Sequence, residues 1–382
     1  MIAIKRMKKS WVLVIGIVLV IAIIAGIYYS NQSKESIKIG YIGPLTGDAG
    51  SIAGSIGQGQ QRVLQMAVAE INQNGGINGR TVEIIFEDGK CDAKESATVA
   101  QKLINIDQVK YIVGGQCSSE TIAVAPIAES SKVLLLSPLS SNPSITNLGD
   151  YIFRDYPSDS YQGKVAAQYT YNTLKIKNVA ILSCLADWCV GLKDSFSQEF
   201  KSLGGNIIEV QEFEKDSIDL KTQLLKISDK KPELIYMLSY AQSTISALKQ
   251  AKEVGLNTSF LGGDAWEDST IWSNTKGFNE GNMYVLPKTS EPSTEFKSNY
   301  LKLYGNDSEI VLAALQNYDA LYILKQAIEK VGDDPTKVKD YLYTMPAYSG
   351  LSGDIRFDQN GDLVGAEYNV KKVISGVPTI VQ

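Results

Sequence analysis

Hydroxyl side chains follow two short apolar runs in the first half of the chain, at residues 111–113 and 133–136. The side chains belong to Ser118, Ser119, Ser140 and Ser141. Hydroxyls and free backbone amides can hold a carboxylate, and a helix that begins near Thr121 would add its positive end. Serines also form turns and cap helices, so their position by itself equally allows a structural role. These serines are therefore candidate anion ligands.

A second group of candidates follows strand-like runs later in the chain. The group comprises Trp188, Tyr240 and Asp264. Asp264 comes after two glycines and could pair with an ammonium group, while the two aromatic side chains could form apolar walls around a ligand. An acid at the end of a strand is more often a solvated cap. These residues form a site only if the fold brings them together.

Alternating strands and helices must position these side chains. Continuous apolar runs suit strands buried on both faces of a parallel sheet, and ligands of such sheets gather at the carboxyl ends of the strands. We predict strands over residues 37–43, 82–88, 111–113, 133–136, 179–183, 206–212, 234–238 and 259–261. We predict helices over residues 58–74, 93–106, 121–130, 190–203, 219–229, 243–254, 293–304, 309–331 and 335–343. The rhythm restarts near residue 179, so we expect two similar α/β lobes.

The residue types exclude several kinds of enzyme. The chain has 382 residues and no histidine, which removes catalytic triads, zinc motifs and proton shuttles built on imidazole. No phosphate-binding loop occurs, and Gly54, Gly57 and Gly59 do not have the spacing of a dinucleotide fingerprint. No lysine or pair of carboxylates stands out as a catalytic group. We expect a binding protein with no catalytic residue and no cofactor, and an exported hydrolase is the disfavoured alternative.

An uncharged apolar segment lies near the N-terminus, at residues 11–29, just after four basic side chains. Nineteen such residues can span a bilayer with the N-terminus inside. A cleaved signal peptide is the alternative, although no clear cleavage site follows. In both cases residues 1–36 form a targeting segment with a short linker, and the folded part is exported. The net charge is −5 and the exported part is more acidic still, so we expect no nucleic-acid partner.

The residues that could bind a metal have simpler roles. The four cysteines, Cys91, Cys117, Cys184 and Cys189, allow three pairings in an oxidising compartment. Pairing the first with the second and the third with the fourth is the most economical, and a zinc site is a weak alternative. Residues 358–362 superficially resemble a calcium loop, but Asn369 stands where the bidentate glutamate would be. We expect a hairpin turn there and no metal.

Four segments of the chain form a recognisable set: IKIGYIGPLTG, AVAEINQNGGINGRTVEIIFED, VGGQCSS and LLLSPLSSNPSIT. They resemble the branched-chain amino-acid (Leu/Ile/Val) binding proteins, the type I periplasmic solute receptors of ABC importers. The resemblance implies two α/β lobes of the Venus-flytrap kind, with parallel sheets flanked by helices, that close on a ligand by hinge motion. It implies crossings near residues 157, 285–287 and 348–353, an N-lobe of residues 37–156 and 287–350, and a C-lobe of residues 157–286 and 351–382 that includes the C-terminal hairpin.

The resemblance also implies how the first lobe binds the ligand. Ser118 matches the family serine that holds the carboxylate of an amino acid. Residues Leu139, Ser140 and Ser141 match the second part of this clamp. Ser141 would contribute its hydroxyl, whereas the other two would act mainly through backbone groups. The clamp therefore recognises the end that all amino acids share.

The second lobe is implied to hold the other end of the ligand. Asp264 matches the acid that pairs with the ammonium group, and Tyr240 and Trp188 match aromatic side chains beside it. Cys91 and Cys117 match a disulfide of the first lobe near the site. Three features depart from the family. Asp264 stands where the family usually has a glutamate, and Trp188 stands where it has a tyrosine, within a loop that carries two further cysteines. The first loop, at residues 48–59, is longer than usual. Selectivity for the ligand side chain should arise from these differences.

The function that follows from the resemblance is transport. The chain would capture an extracellular amino acid, branched-chain or related, and deliver it to the permease subunits of an ABC transporter, acting as a monomer. The alternative is a ligand-sensing ectodomain that partners a separate signalling protein, because the same lobes occur in receptors. In both cases the implied partners are a small molecule and a membrane protein.

Overall fold

The computed structural model describes residues 35–46, 56–306, 310 and 312–382. The predicted anchor or signal segment and most of the long first loop lie outside these residues. Among the residues described, no helix is both long enough and apolar enough to cross a membrane. The described chain folds into two α/β lobes, each with its own sheet, as predicted.

The first lobe is built on a five-stranded sheet. Its strands are β1 (Ile37–Gly43), β2 (Val82–Asp88), β3 (Tyr111–Gly114), β4 (Leu134–Ser137) and β5 (Ile152–Arg154). They lie in the order β2-β1-β3-β4-β5, and all neighbouring pairs are parallel. β3 and β4 are buried along their whole length, as expected for strands covered on both faces. Their carboxyl ends therefore meet at one edge, where the two serine loops begin.

The second lobe is built on a seven-stranded mixed sheet. Its strands are β6 (Asn178–Cys184), β7 (Asn206–Phe213), β8 (Leu234–Leu238), β9 (Phe260–Gly262), β10 (Met283–Pro287), β13 (Tyr368–Ile374) and β14 (Val377–Ile380). They lie in the order β14-β13-β10-β9-β8-β6-β7. The first five strands in chain order are parallel, and the C-terminal pair adds antiparallel strands at one edge. A separate pair, β11 (Tyr348–Ser349) and β12 (Asp354–Ile355), is antiparallel.

Helices cover the faces of both sheets. They are α1 (Gln58–Gln73), α2 (Ala93–Asn105), α3 (Ser118–Ser131), α4 (Asp159–Gln168), α5 (Asp187–Ser202), α6 (Lys221–Lys230), α7 (Ala241–Glu253), α8 (Ser269–Asn274), α9 (Thr294–Tyr304), α10 (Ala314–Val331) and α11 (Pro335–Thr344). The last two pack in one core with the strands of the first sheet, although they follow the second sheet in sequence. The chain therefore passes between the lobes after β5, after β10 and again before β13.

The predicted elements are present, with small shifts at their ends. Helix α3 begins at Ser118 instead of residue 121, because the Glu120 carboxylate accepts hydrogen bonds from the backbone N–H groups of Gln116 and Cys117 and fixes the first turn. Helix α10 begins at Ala314 instead of residue 309, and Ala313 before it has a left-handed φ of 60°. Both differences lie at ends, where capping decides the boundary.

The turn at residues 358–362 is a hairpin turn, as predicted, but it packs against the first lobe. The Arg154 side chain at the end of β5 forms a salt bridge with Asp362, with Nε 2.7 Å from Oδ1. The backbone N–H of Arg154 also donates to the carbonyl oxygen of Gly361 at 2.9 Å. The expectation that this hairpin lies on the second lobe is therefore corrected: a buried arginine holds it against β5.

Candidate ligand-binding site

Most of the candidate residues line one cavity of about 390 Å³ between the two sheets. The lining residues are Ile56, Gln116, Cys117, Ser118, Leu139, Ser141, Trp188, Tyr240, Asp264, Ala265 and Leu312. The residues come from both lobes, as in the small-molecule sites that form between domains. The fold thus brings together serines and an acid that lie almost 150 positions apart in the sequence.

The first lobe contributes hydroxyls and the beginning of a helix. Ser118 is the first residue of α3, where backbone N–H groups have no partner within the helix. Its Oγ accepts a hydrogen bond from the backbone N–H of Asn142 at 3.2 Å, which links it to the loop that carries Ser141. Both serines are 2% exposed. The two loops therefore form one polar surface suited to an anion.

Ser140 has a different role from its neighbour. Its Oγ donates to the carbonyl oxygen of Gly115 at 2.8 Å and lies 2.7 Å from the Oγ1 of Thr121. The side chain is buried and does not belong to the cavity lining. Its hydroxyl ties the two loops together, and its backbone N–H donates to the Ser137 Oγ at 3.0 Å. A role of its backbone in binding therefore stays a prediction.

Two disulfides stiffen the loops that surround the cavity. Cys91 is bonded to Cys117, and Cys184 is bonded to Cys189, in agreement with the most economical pairing. The first pair lies beside Glu120, whose carboxylate also accepts a hydrogen bond from the backbone N–H of Cys91 at 3.0 Å. Burial raises the pKa of Glu120 to about 7, although three backbone N–H groups oppose the rise. Because both cysteines of this pair are in a disulfide, they are not free to bind zinc.

Aromatic side chains of the second lobe form one wall of the cavity. Trp188 lies in the first turn of α5, within the loop closed by the second disulfide, and Tyr240 directly precedes α7. Their ring centroids are 5.3 Å apart. Such a pair offers a broad apolar surface to a ligand. Both residues line the cavity, and their role in binding a ligand stays a prediction.

Asp264 supplies the negative charge of the site. It is 2% exposed and accepts hydrogen bonds from the Tyr156 Oη at 2.5 Å and from the Gln162 Nε2 at 3.3 Å. Burial raises the pKa of this carboxyl, and the two hydrogen bonds oppose the rise. Neither partner carries a positive charge, and no lysine or arginine is among the described residues that line the cavity. The carboxylate is therefore suited to a cationic group from a ligand.

A second buried acid, Asp159, lies beside this group and is missed by the sequence analysis. It is 0% exposed. Burial raises the pKa of Asp159 and the negative charge of Asp264 raises it further, whereas hydrogen bonding with the Ser141 and Trp188 side chains and the positive charge of Arg154 oppose the rise. Its backbone N–H donates to the carbonyl oxygen of Ser141 at 2.8 Å, so it also touches the serine loop. Asp159 is the first residue of α4, and acids are common in the first turn of a helix. The sequence therefore does not indicate that a second negative charge lies near the site.

Direct contacts join the two lobes across the cavity. Asn142 of the first lobe donates from Nδ2 to the carbonyl oxygen of Asp187 at 2.5 Å. Lys215 of the second lobe donates from Nζ to the carbonyl oxygen of Cys91 at 3.1 Å. With these contacts in place, the site has an anion-binding end in one lobe, an acidic end in the other and an apolar wall between them.

Comparison with known proteins is consistent with this arrangement. The sequence profile of the family described as periplasmic binding protein matches residues 36–376. A leucine-, isoleucine-, valine-, threonine- and alanine-binding protein of Pseudomonas aeruginosa is 29% identical over 351 residues, which are 91% of this chain and 92% of the relative. Relatives of this length match the whole exported part and not an isolated lobe.

Solved structures show the same fold. A leucine binding protein of Thermotoga maritima is 27% identical with a TM-score of 0.80, and the match covers 91% of this chain and 98% of that one. A branched-chain amino acid transporter substrate binding protein of Streptococcus pneumoniae, in complex with isoleucine, is 25% identical with a TM-score of 0.79, covering 91% and 99%. Since the family profile matches most of the sequence as well, the chain belongs to the periplasmic binding protein family.

Proposed function

We propose that this protein is an extracytoplasmic receptor that holds an amino acid, branched-chain or related, between its lobes and delivers it to an ABC permease. The observation that carries the proposal is the pairing of two complementary ends in one cavity: hydroxyls at the start of a helix in one lobe, and in the other a buried acid, Asp264, whose hydrogen-bond partners are all neutral. A zwitterion fits both ends at once. The names of the relatives support the same ligand class.

The geometry supports a specific mode of binding. The ligand carboxylate is held by Ser118 and Ser141 together with backbone N–H groups of the first turn of α3. The ammonium group lies at the acidic end, beside Asp264, with Asp159 behind it. The ligand side chain meets Trp188 and the apolar residues that complete the lining, so we expect a preference for an apolar side chain.

Hinge closure around the ligand follows because the two lobes hold opposite ends of it. Each lobe offers only one end of the site, so neither lobe alone can satisfy both charges of an amino acid. We place the hinge where the chain passes between the lobes, near residues 157 and 287 and between residue 363 and the start of β13 at Tyr368. Bringing the lobes together also forms the contact of Lys215 with the backbone of Cys91. The binding protein acts as a monomer.

A ligand screen by thermal melting tests the proposal. A soluble version of the chain that begins near Ser33 is melted with each of the common amino acids. A ligand at a hundred times its dissociation constant stabilises the folded state by about 2.7 kcal/mol, so the matching amino acid raises the melting temperature clearly. The matched control is the oxo-acid of the same ligand, which lacks the ammonium group and should give no comparable shift. Absence of a shift with every amino acid would refute the proposal.

The location of the protein is a further part of the proposal. Residues 11–29 anchor the chain in the membrane, with the folded part outside, because this segment is uncharged and follows basic residues. Cell fractionation tests it: an anchored chain stays in the membrane fraction at full mass, whereas a cleaved signal gives a shorter soluble protein. The second result would mean that residues 11–29 belong to a cleaved signal peptide, and it would not change the proposed ligand site.

A further inference from the structure

The segment that joins β5 to α4 touches both ends of the candidate site. It forms the first passage of the chain between the lobes, at residues 155–158. Directly after it, the backbone N–H of Asp159 donates to the carbonyl oxygen of Ser141 in the first lobe at 2.8 Å. From within the segment, the Tyr156 hydroxyl donates to the Asp264 carboxylate of the second lobe at 2.5 Å. One short stretch of chain therefore contacts both the serine loop and the acid of the site.

Tyr156 is not itself part of the cavity. It is 0% exposed and is absent from the described residues that line the site. Burial raises the pKa of its phenol, and the negative charge of Asp264 raises it further, so the hydroxyl keeps its proton and remains a donor. Tyr156 can therefore act on a ligand only through Asp264.

The hydrogen bonds of Asp264 leave little of its carboxylate free. Tyr156 occupies one acceptor position at 2.5 Å, the Gln162 Nε2 a second at 3.3 Å, and the backbone N–H of Ala265 a third at 3.2 Å. Gln162 also donates to the carbonyl oxygen of Val285 at 2.8 Å, so its bond to the acid is the weaker of its two. An ionised carboxylate has about four acceptor positions, which leaves about one for an ammonium group.

The bond from Tyr156 is the strongest that this acid receives. Its length is typical of a hydrogen bond from a hydroxyl to a carboxylate, and such charge-assisted bonds are about twice as strong as neutral ones. Burial raises the pKa of Asp264, and the bond from Tyr156 opposes the rise more than the bond from Gln162 does. A lysine or arginine in the same place would cancel the negative charge, whereas a phenol is neutral. The charge therefore stays available to a ligand.

We propose that Tyr156 is a positioning residue of the amino-acid site, which fixes the ionised Asp264 against the first passage between the lobes. The inference rests on the proposed function, because it assigns the ammonium group of the ligand to Asp264. Since the same passage is bonded to the loop of Ser141, Tyr156 also holds the acid in place relative to the anion-binding end. Without its hydroxyl, the acid would be less firmly placed and harder to ionise.

Several other groups face Asp264 or its neighbouring acid and influence when they ionise. They are Asp159, Arg154 and the phenols of Tyr236, Tyr240 and Tyr368. Among the described residues, none of these three phenols donates a hydrogen bond to Asp264. All of these groups remain in a variant that lacks only the Tyr156 hydroxyl, so a changed ionisation of Asp264 in that variant belongs to the hydroxyl.

The test is the affinity of the full chain in mild detergent for an amino acid, measured by calorimetry as a function of pH. Leucine is the first probe, followed by each of the other common amino acids. Tyr156→Phe removes one oxygen atom and keeps the ring. The ammonium group pairs with ionised Asp264, so affinity is present above the pKa of this acid and is lost as the pH falls through it. In Tyr156→Phe this loss should begin about one pH unit higher, which makes binding roughly tenfold weaker on the acid side.

Tyr236→Phe is the matched control. Tyr236 of β8 is also 0% exposed, and its hydroxyl has no hydrogen-bond partner among the described residues. It lies near the same acids, whose negative charges raise its pKa. The variant removes the same atom from the same surroundings without removing a bond to Asp264, so it should keep the pH profile of the wild type.

A double variant separates positioning from a general role in the fold. Because Tyr156 acts only through the carboxylate, Tyr156→Phe combined with Asp264→Asn should bind as weakly as Asp264→Asn alone. If Tyr156→Phe by itself does not fold, the double variant should restore folding, since it replaces a poorly paired buried carboxylate by a neutral amide. A double variant that also fails to fold would contradict the inference.

Carbon-13 NMR of the aspartate carboxyls gives a measurement that needs no ligand. The signal of Asp264 is assigned by its loss in Asp264→Asn. Its pKa should rise by about one unit in Tyr156→Phe and stay unchanged in Tyr236→Phe. If this shift occurs while the wild type binds no amino acid, Tyr156 still positions Asp264 and the proposed transport function is wrong.

Three results would overturn the role of Tyr156 while the wild type still binds an amino acid. They are an unchanged pH profile and Asp264 pKa in Tyr156→Phe, an equal shift in Tyr236→Phe, and losses of affinity that add up in the double variant. The last two would show that any disturbance of this core weakens binding. In each case the proposed function stands, so the two conclusions fail separately.

Discussion

At the scale of single residues, Asp264 is the side chain that we expect to pair with the positive charge of the ligand. Its hydrogen-bond partners, Tyr156 and Gln162, are neutral, so the carboxylate has no internal counter-charge. Asp264→Asn should weaken amino-acid binding by about 2–5 kcal/mol, as expected when a buried ammonium group loses its partner. Isothermal titration calorimetry measures the change.

Glu267→Gln is the matched control, because Glu267 pairs with Lys371 and does not line the cavity. Equal losses of affinity in both variants would exclude a direct role for Asp264.

The two acids of the site predict how binding depends on pH. Burial raises the pKa of both Asp159 and Asp264, and the charge of Asp264 raises the pKa of Asp159 further. In the empty site these carboxyls therefore keep their protons at pH values at which an ordinary carboxyl is ionised. An ammonium group favours the ionised acids and lowers these pKa values, so binding releases protons. Affinity should therefore fall as the pH is lowered through the raised pKa values. Calorimetry in buffers of different ionisation enthalpy detects the released protons. Ligand binding to Asp159→Asn should release fewer protons than binding to the wild type. If the wild type releases none, binding is not coupled to ionisation of these acids.

The sequence predicts some of these residues and not others, for physical reasons. Ser118, Ser141 and Asp264 follow predicted strands, and the carboxyl ends of parallel strands meet at one edge. Asp159 follows β5, which has only three residues and is too short to be recognised by its hydrophobic pattern. Its burial depends on the packing of both lobes, which a local pattern does not contain.

At the scale of elements, the boundaries set by apolar runs were predicted better than the contacts of loops. β1, β2 and β8 have the predicted bounds, because each is a continuous run that ends at a turn. The turn at residues 358–362 was predicted as a turn but placed on the wrong lobe. A salt bridge between Arg154 and Asp362, which lie 208 positions apart, holds it, and no local pattern indicates such a pair.

The loop between β7 and α6 provides a testable contact between the lobes. Lys215 in this loop donates a hydrogen bond to the carbonyl oxygen of Cys91, in the loop that the first disulfide stiffens. Lys215→Met keeps much of the side-chain length and removes the bond, so closure should be less stable by about 1 kcal/mol, or roughly fivefold in affinity. Stopped-flow measurements should show faster ligand release and an almost unchanged rate of association.

The control for this contact is Lys226→Met, which removes a charge from an exposed position of α6. If both variants release the ligand at the same increased rate, the effect comes from net charge and not from the contact with Cys91. If neither changes the rate, the contact does not hold the lobes together. A change confined to Lys215→Met connects the loop to closure.

At the scale of the whole molecule, ligand binding and lobe closure should be one event. Gly191 in α5 of the second lobe faces the first lobe so closely that an added Cβ would lie 2.6 Å from the Asn142 Nδ2 and 2.9 Å from the Pro143 Cδ. Gly191→Val therefore places a wedge between the lobes without touching the cavity lining. We expect affinity for the amino acid to fall by more than about tenfold, because the closed form becomes rare.

Small-angle X-ray scattering separates this effect from damage to the fold. In the wild type the radius of gyration should decrease when ligand is added, whereas Gly191→Val should stay extended at the same ligand concentration. Ser202→Val, at an exposed position near the end of the same helix, introduces the same side chain away from the first lobe and should behave like the wild type. Full compaction and unchanged affinity in Gly191→Val would show that the added side chain does not oppose closure. An extended Gly191→Val with unchanged affinity would show that the ligand is bound without closure, and the acid of the second lobe would then be too distant to pair with the ligand held by the first.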